Sequence, residues 1–193
     1  MTCKNKSIKM DKNERFNLAT GGAKDMEKIC CVTGHRDIPD DQEEKIKAAL
    51  EREIEKAAAD GYTGFMTGFE VGVDQTFAEL VVGLQKKNPD LKLIAVLPSQ
   101  KQSEDLQAGE QTKALMAACA EVKVIDGKEQ SAAYTRRNRF MVEHADRVIA
   151  VYDGRETGGT VKMIRLVHQM RKELREIPVG EIHLPWQLKG KRK

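Results

Sequence analysis

The chain lacks most of the signatures by which a sequence declares its chemistry. No GxGxxG follows an apolar run and no GxxxxGKS/T occurs, which removes the dinucleotide fingerprint and the P-loop. GxSxG and HExxH are missing too, and with them the common marks of a serine hydrolase or a zinc peptidase. The four cysteines (Cys3, Cys30, Cys31 and Cys119) form neither CxxC nor a Cys/His metal spacing. Cys30 and Cys31 lie inside an apolar run and read as reduced core thiols, so no metal is indicated. Aromatic residues are 5% of the chain, too sparse to interleave with a basic patch as single-stranded nucleic-acid binders require. The formal charge of +3 is weak and gathered at the ends, in Lys4, Lys6, Lys9 and the closing Lys189 to Lys193. That counts against a dedicated duplex-DNA binder, but a small anion held by a few arginines fits it. No apolar run approaches the ~18 residues of a membrane span, and the N-terminal lysines precede no apolar core. The expected location is the cytoplasm.

What is present is alternation. A length of 193 residues suits one well-buried domain. Residues 1–26 are polar and without period, and read as an extension. Short apolar runs then alternate with amphipathic stretches: a strand at Lys28–Val32, a helix from Gln42 to Ala59 with Ile46, Leu50, Ile54 and Ala57 at helical spacing, and a strand at Tyr62–Met66. A helix from Val73 to about Lys87 and a strand at Leu91–Leu97 follow. Ser99–Glu104 reads as a polar loop leading to a helix through Ala120, then a strand at Glu121–Ile125. A basic helix around Tyr134, a strand at Val148–Tyr152 and a helix from about Thr160 to Arg175 complete the pattern. Ile177–Leu184 has the character of one more short strand, and 188–193 of a basic tail. Asp40 or Asp41 is placed to cap the first helix. Nearly continuous apolar strands joined through helices predict an α/β, Rossmann-like, mostly parallel sheet of five to six strands with helices on both faces, one domain over 27–187.

In such a sheet, ligands bind beyond the carboxyl ends of the strands. Those ends carry Thr33-Gly34-His35-Arg36, Thr67-Gly68 followed by Gly72-Val73-Asp74, Pro98, and Asp153-Gly154 followed by Gly158-Gly159-Thr160. Glycines beside helix starts let backbone amides approach an anion, and the helix dipole favours the same charge. Phosphate is the expected guest. Arg36 either enters the cleft or stays solvated; His35 is either a ligand donor or a turn residue. Among Arg136, Arg137 and Arg139 one helix cannot aim all three alike, and Arg139 stands four residues before Glu143, a pairing distance. Asp74 either complements its helix dipole or meets a ribose. Glu70 and Asp74 together have the composition of an acid/base pair.

The segments CCVTGHR, FMTGFEVGVDQTFAE, LKLIAVLP and RRNRFMVEHADRVIAVYDGRETGGT, in that order over about residues 28–170, resemble the YpsA-type proteins of the SLOG superfamily. The superfamily also holds the DprA DNA-processing proteins and the Lonely-Guy (LOG) phosphoribohydrolases. The resemblance implies a Rossmann-like fold binding a nucleotide-derived ligand such as NAD or ADP-ribose, in a sensor or regulatory module that is often a homodimer. By position it implies a ligand site at Gly34, Arg36, Gly68, Gly72, Asp74, Arg137, Asn138, Gly158, Gly159 and Thr160, to which the strand-end reading adds Thr33 and His35. LOG enzymes have a catalytic glutamate in PGGxGTxxE; here Gly158-Gly159-Thr160-Val161-Lys162-Met163 puts Met163 at that place. The alternatives implied are therefore a phosphoribohydrolase or N-glycosidase using Glu70 or Asp74, and DprA-like single-stranded DNA binding through Arg136 to Arg139.

Overall fold

The computed structural model describes residues 27–125 and 130–180. The expectations for residues 1–26 and 188–193 lie outside that range. Twelve elements alternate: β1 (Lys28–Thr33), α1 (Asp40–Ala59), β2 (Tyr62–Thr67), α2 (Val73–Gln85), β3 (Lys92–Leu97), α3 (Gln100–Ala108), α4 (Glu110–Ala118), β4 (Cys119–Val124), α5 (Gln130–His144), β5 (Arg147–Tyr152), α6 (Gly159–Gln169) and β6 (Glu173–Pro178). The six strands form one sheet in the order β4-β3-β2-β1-β5-β6, and every neighbouring pair is parallel.

The strands are apolar on both faces because both faces are covered. Cys30, Val32, Phe65, Leu93, Ala95 and Leu97 point toward Leu50, Ile54, Phe77 and Val81 of α1 and α2. The alternate residues Ile29, Cys31, Met66, Ile94 and Val96 meet Met141, Val142, Met163 and Val167 of α5 and α6. The helical spacing of Ile46, Leu50, Ile54 and Ala57 is the buried stripe of α1. Burial pushes the thiols of Cys30 and Cys31 upward, which keeps them protonated and inert.

Several boundaries differ from the sequence reading. The polar run after β3 is helix, not loop, because Ser99 caps it: its Oγ accepts from the Gln102 N–H at 3.2 Å. Only Ser103 and Leu106 of α3 are buried, so the run had no apolar period to betray it. The α1 N-cap is Pro39, without a side-chain cap bond, so Asp40 and Asp41 act from the first turn instead. Beyond α4 the strand starts at Cys119 and ends at Val124, two residues earlier at its start than its apolar core suggested. At the other end, α6 closes at Gln169 rather than Arg175: Arg171 takes a left-handed φ of 53°, and the Lys172 N–H donates to Val167 O at 3.0 Å. No glycine or proline marks that turn. The sixth strand therefore begins at Glu173, ahead of the expected Ile177.

From β1 the chain steps outward through β2, β3 and β4, then crosses back to β5 on the other flank of β1. The strand order thus reverses between β1 and β5, where Thr33 pairs with Ala150. The crevice beyond those two carboxyl ends is where an open parallel sheet holds a ligand.

Candidate functional site

Arg137 is the centre of this edge. It projects from α5 over the end of β2, with its side chain 6% exposed. Its Nη2 donates to Glu70 Oε1 at 3.1 Å, and its Nη1 lies 3.7 Å from Asp74 Oδ2. The guanidinium passes so close to Gly68 that a methyl there would stand 1.3 Å from Nη1. Asp74 Oδ2 in turn accepts from the N–H of Gly68 at 3.1 Å and of Glu70 at 3.4 Å. Burial, with nearby Glu70 adding to it, pushes the Asp74 carboxyl up to about 6 against the pull of Arg137. Its role is therefore to brace the loop after β2 and to seat an arginine, more than to complement a dipole. Thr67 completes the brace: its Oγ1 donates to Asp74 O at 3.1 Å and accepts from Phe69 N–H at 3.2 Å.

Glu70 gathers three donors. Besides Arg137, Gln102 Nε2 reaches Oε1 at 3.2 Å, and Arg36 Nη2 from the β1–α1 loop pairs with Oε2. Neither Glu70 nor Gln102 stood among the residues expected to bind ligand. Glu70 carried a signal, its place with Asp74 beyond a strand end; Gln102 lay in a stretch that read as loop, where only the family resemblance points to a glutamine near the wall of the site.

The glycines divide into two kinds. A methyl on Gly34 would meet Val73 at 2.4 Å, and one on Gly72, whose φ is 88°, would meet the carbonyls of Arg36 and His35 at 2.9 and 3.0 Å. Together with Gly68, these glycines are small because protein packs against them. Gly158 and Gly159 are different: both are exposed, Gly158 has a φ of 113°, and a methyl there would meet open space. They open α6, whose N-cap Gly158 makes no side-chain cap bond, leaving the first-turn amides without a side-chain acceptor from that cap. Asn138 Nδ2 would lie 3.6 Å from a methyl on Gly159, and Thr160 is buried beneath the turn. Adjacent residues of one helix thus reach two neighbourhoods, Arg137 the β2 loop and Asn138 the start of α6.

Between them, at the strand-order reversal, buried His35 sets its Nε2 3.0 Å from Asp153 Oδ1 and stacks on Tyr152 with ring centroids 6.0 Å apart. Burial lowers the His35 pKa, against the attraction of Asp153. Burial also raises the Asp153 carboxyl, but hydrogen bonds from Arg155, the nearest at 2.7 Å, bring it below its ordinary value. Arg155 continues to Asp37 at 3.3 Å, joining the β1 and β5 loops. Buried polar side-chain atoms without a hydrogen-bond partner include Gln102 Oε1 and Arg137 Nε, both at this edge. Such atoms are rare in folded proteins and gather where a ligand or solvent completes the set. Arg139, by contrast, is exposed and pairs with Glu143 at 2.7 Å, away from the crevice. Among the described residues, no three His, Cys, Asp or Glu side chains are grouped to hold a metal ion.

A family model for YpsA, described as the YspA SLOG family, matches residues 30–184. The chain belongs to that family. Its relatives include a UPF0398 protein of Bacillus pumilus, 28% identical over 149 residues (72% of this chain, 80% of that one). A second UPF0398 protein, of Bacillus licheniformis, is 29% identical over 143 residues (71% and 76%). The SPbeta prophage-derived protein YoqJ of Bacillus subtilis is 27% identical over 129 residues (60% and 74%). The X-ray structure of TM1055, a structural-genomics target, aligns at 18% identity and a TM-score of 0.48 over 76% of this chain and 72% of that one. Membership places the crevice in a nucleotide-related, Rossmann-like SLOG domain, and Met163 of this chain sits 2% exposed in the apolar cluster under α5 and α6. No helix among the described residues is long and apolar enough to cross a membrane.

Proposed function

We propose that this SLOG domain is a sensor or regulatory module that binds a nucleotide-derived ligand, NAD or ADP-ribose in chemical class, along the edge from Glu70 to Gly159. The observation that carries the reading is the exposed, uncapped start of α6 at Gly158-Gly159, shared on one edge with a buried arginine and two carboxylates. Free amides at a helix N-terminus suit a phosphate, and the absence of side chains at both glycines lets it approach. The test is calorimetry and thermal shift with NAD, ADP-ribose, AMP and GTP at millimolar concentration. A saturable response to at least one supports the reading; folded protein that responds to none refutes it.

A second reading, hydrolysis of an N-glycosidic bond, draws on one observation: Glu70 and Asp74 share Arg137, and the Asp74 carboxyl is raised to about 6, near the working range of a general acid. Release of free base from nucleoside monophosphates or NAD would favour it over binding alone. Unchanged substrate would leave the module as a binder.

A further inference from the structure

The two oxygens of Glu70 live in different settings. Oε1 is fixed from inside, by Arg137 Nη2 at 3.1 Å and Gln102 Nε2 at 3.2 Å. Arg137 is buried, and its other terminal nitrogen is held toward Asp74, so this half of the carboxylate has nowhere to go. Oε2 turns outward and meets Arg36, whose side chain is 62% exposed and has Glu70 as its ion-pair partner. Exposed pairs of this kind favour the closed arrangement by about fivefold or less, since water competes for both ends. The inner contacts therefore orient Glu70, and the outer one is exchangeable. Val71, 65% exposed, stands next to Glu70 on the same loop and gives the rim an apolar surface.

We infer that Glu70 and Arg36 form an exchangeable pair that reads a ribosyl phosphate: Glu70 Oε2 accepts the sugar hydroxyls, and Arg36, released from it, pairs with the phosphate. This rests on the reading of the crevice as a nucleotide site and assigns the sugar to the β2 side of it. A carboxylate held rigidly by donors on one oxygen and free on the other is preorganised to accept from a hydroxyl. An exposed arginine at a strand end is suited to a phosphate, which it can meet with two parallel donors. No bond is made or broken in the exchange; one ion pair is replaced by another and by hydroxyl bonds.

The experiment measures affinities of the full chain for AMP, 2′,3′-dideoxy-AMP and adenosine by calorimetry. The wild type should prefer AMP to each analogue by about tenfold or more, the worth of one charge-assisted hydrogen bond. Glu70→Gln should flatten the preference over the dideoxy analogue, and Arg36→Gln the preference over adenosine. Arg36 is exposed and its ion pair is with Glu70, so R36Q keeps the fold and remains informative should E70Q melt early. Unchanged preferences in R36Q, or in a folded E70Q, overturn the assignment while leaving nucleotide binding intact. ADP-ribose binding without AMP binding does the same. A wild type that binds no nucleotide at all removes both the assignment and the reading beneath it.

Discussion

Gly68→Ala is the sharpest probe of how this edge is built. The added methyl would stand 1.3 Å from Arg137 Nη1, 2.5 Å from Cζ and 2.9 Å from Asp74 Oδ2, so the guanidinium must leave its seat. Gly68 is not in a left-handed conformation, so backbone strain adds nothing and the whole effect passes through Arg137. Removing one member of a buried ion pair costs ~3–5 kcal/mol, because the remaining charge is left unpaired in a dry site. Two features lower that figure here. Asp74, already raised to about 6, relieves its charge by taking a proton, and Glu70 keeps Gln102 and Arg36. The expected loss is about 3 kcal/mol, or roughly 6–12 °C of melting temperature for a domain of this size. Urea unfolding of G68A, R137A and the double variant closes the cycle. With Arg137 gone the methyl has room, so G68A should cost at most about 1 kcal/mol in the R137A background, a coupling of about 2 kcal/mol. Equal costs in both backgrounds would refute the claim that this glycine exists to seat an arginine.

Asp74 sets a pH dependence of definite sign. Its folded pKa of about 6 exceeds the ordinary 3.8, so the native state holds the proton more tightly than the unfolded chain. The stability this provides is full below the unfolded value and is lost as pH rises through about 6. The wild-type advantage over Asp74→Asn, measured by urea unfolding, should therefore shrink by about 2 kcal/mol between pH 4 and 7, and a constant difference contradicts it. At the opposite edge of the sheet, buried Arg147 joins Asp60 at 2.6 Å and Glu173 at 3.0 Å and lies over the Tyr62 ring. Arg147→Ala should cost about 2–3 kcal/mol in thermal or urea unfolding, and change no nucleotide affinity. Arg139→Ala breaks an exposed pair with Glu143 and should cost at most about 0.5 kcal/mol in the same assay. Gly159→Asp puts bulk and negative charge on the open start of α6; it should abolish a nucleotide-induced melting shift and leave the unliganded melting temperature nearly unchanged.

The fold was legible because its information is periodic. Alternating faces of Cys30 against Cys31, or Phe65 against Met66, and the four-residue recurrence from Ile46 to Ile54 are readable without coordinates. Boundaries set by single local devices were not. Ser99 capping a helix of polar residues and Arg171 reversing the chain without glycine leave no period to find. At the site, strand ends located the right neighbourhood but not the tasks within it. Gly34, Gly68 and Gly72 look like phosphate glycines in sequence, since only the residue itself is visible there. What makes them small is a partner distant in sequence: Val73 for Gly34, Arg137 for Gly68, the β1-loop carbonyls for Gly72. Three-dimensional approach between segments is the information a linear reading lacks. Glu70 shows the same limit from the other side, since its meaning comes from Arg36, Gln102 and Arg137, which lie 34, 32 and 67 residues away.

The same logic bears on whether the crevice does chemistry. The position that the LOG resemblance equates with a catalytic glutamate holds Met163, 2% exposed and packed with Ile29, Cys31, Met141 and Val167. Putting a carboxylate there would bury a charge among apolar side chains with no cation described beside it, a cost that only protonation or a rearranged helix relieves. Methionine at this place is thus consistent with α6 turning that face to the core, and restoring glutamate alone should destabilise the domain without creating activity. Of the carboxylates that do reach the edge, Glu70 and Asp74 are both engaged by Arg137. That engagement fixes both side chains as braces of the loop after β2. Asp74, held up to about 6 by burial, has its Oδ2 occupied by two loop amides and so is not free to reach a leaving base. Met163→Glu is therefore expected to lower the melting temperature by several degrees and to release no base from AMP or NAD. Base release by a folded M163E would show that the crevice can accept a carboxylate from α6, and that the inward turn of this face is a consequence of the methionine rather than of the fold.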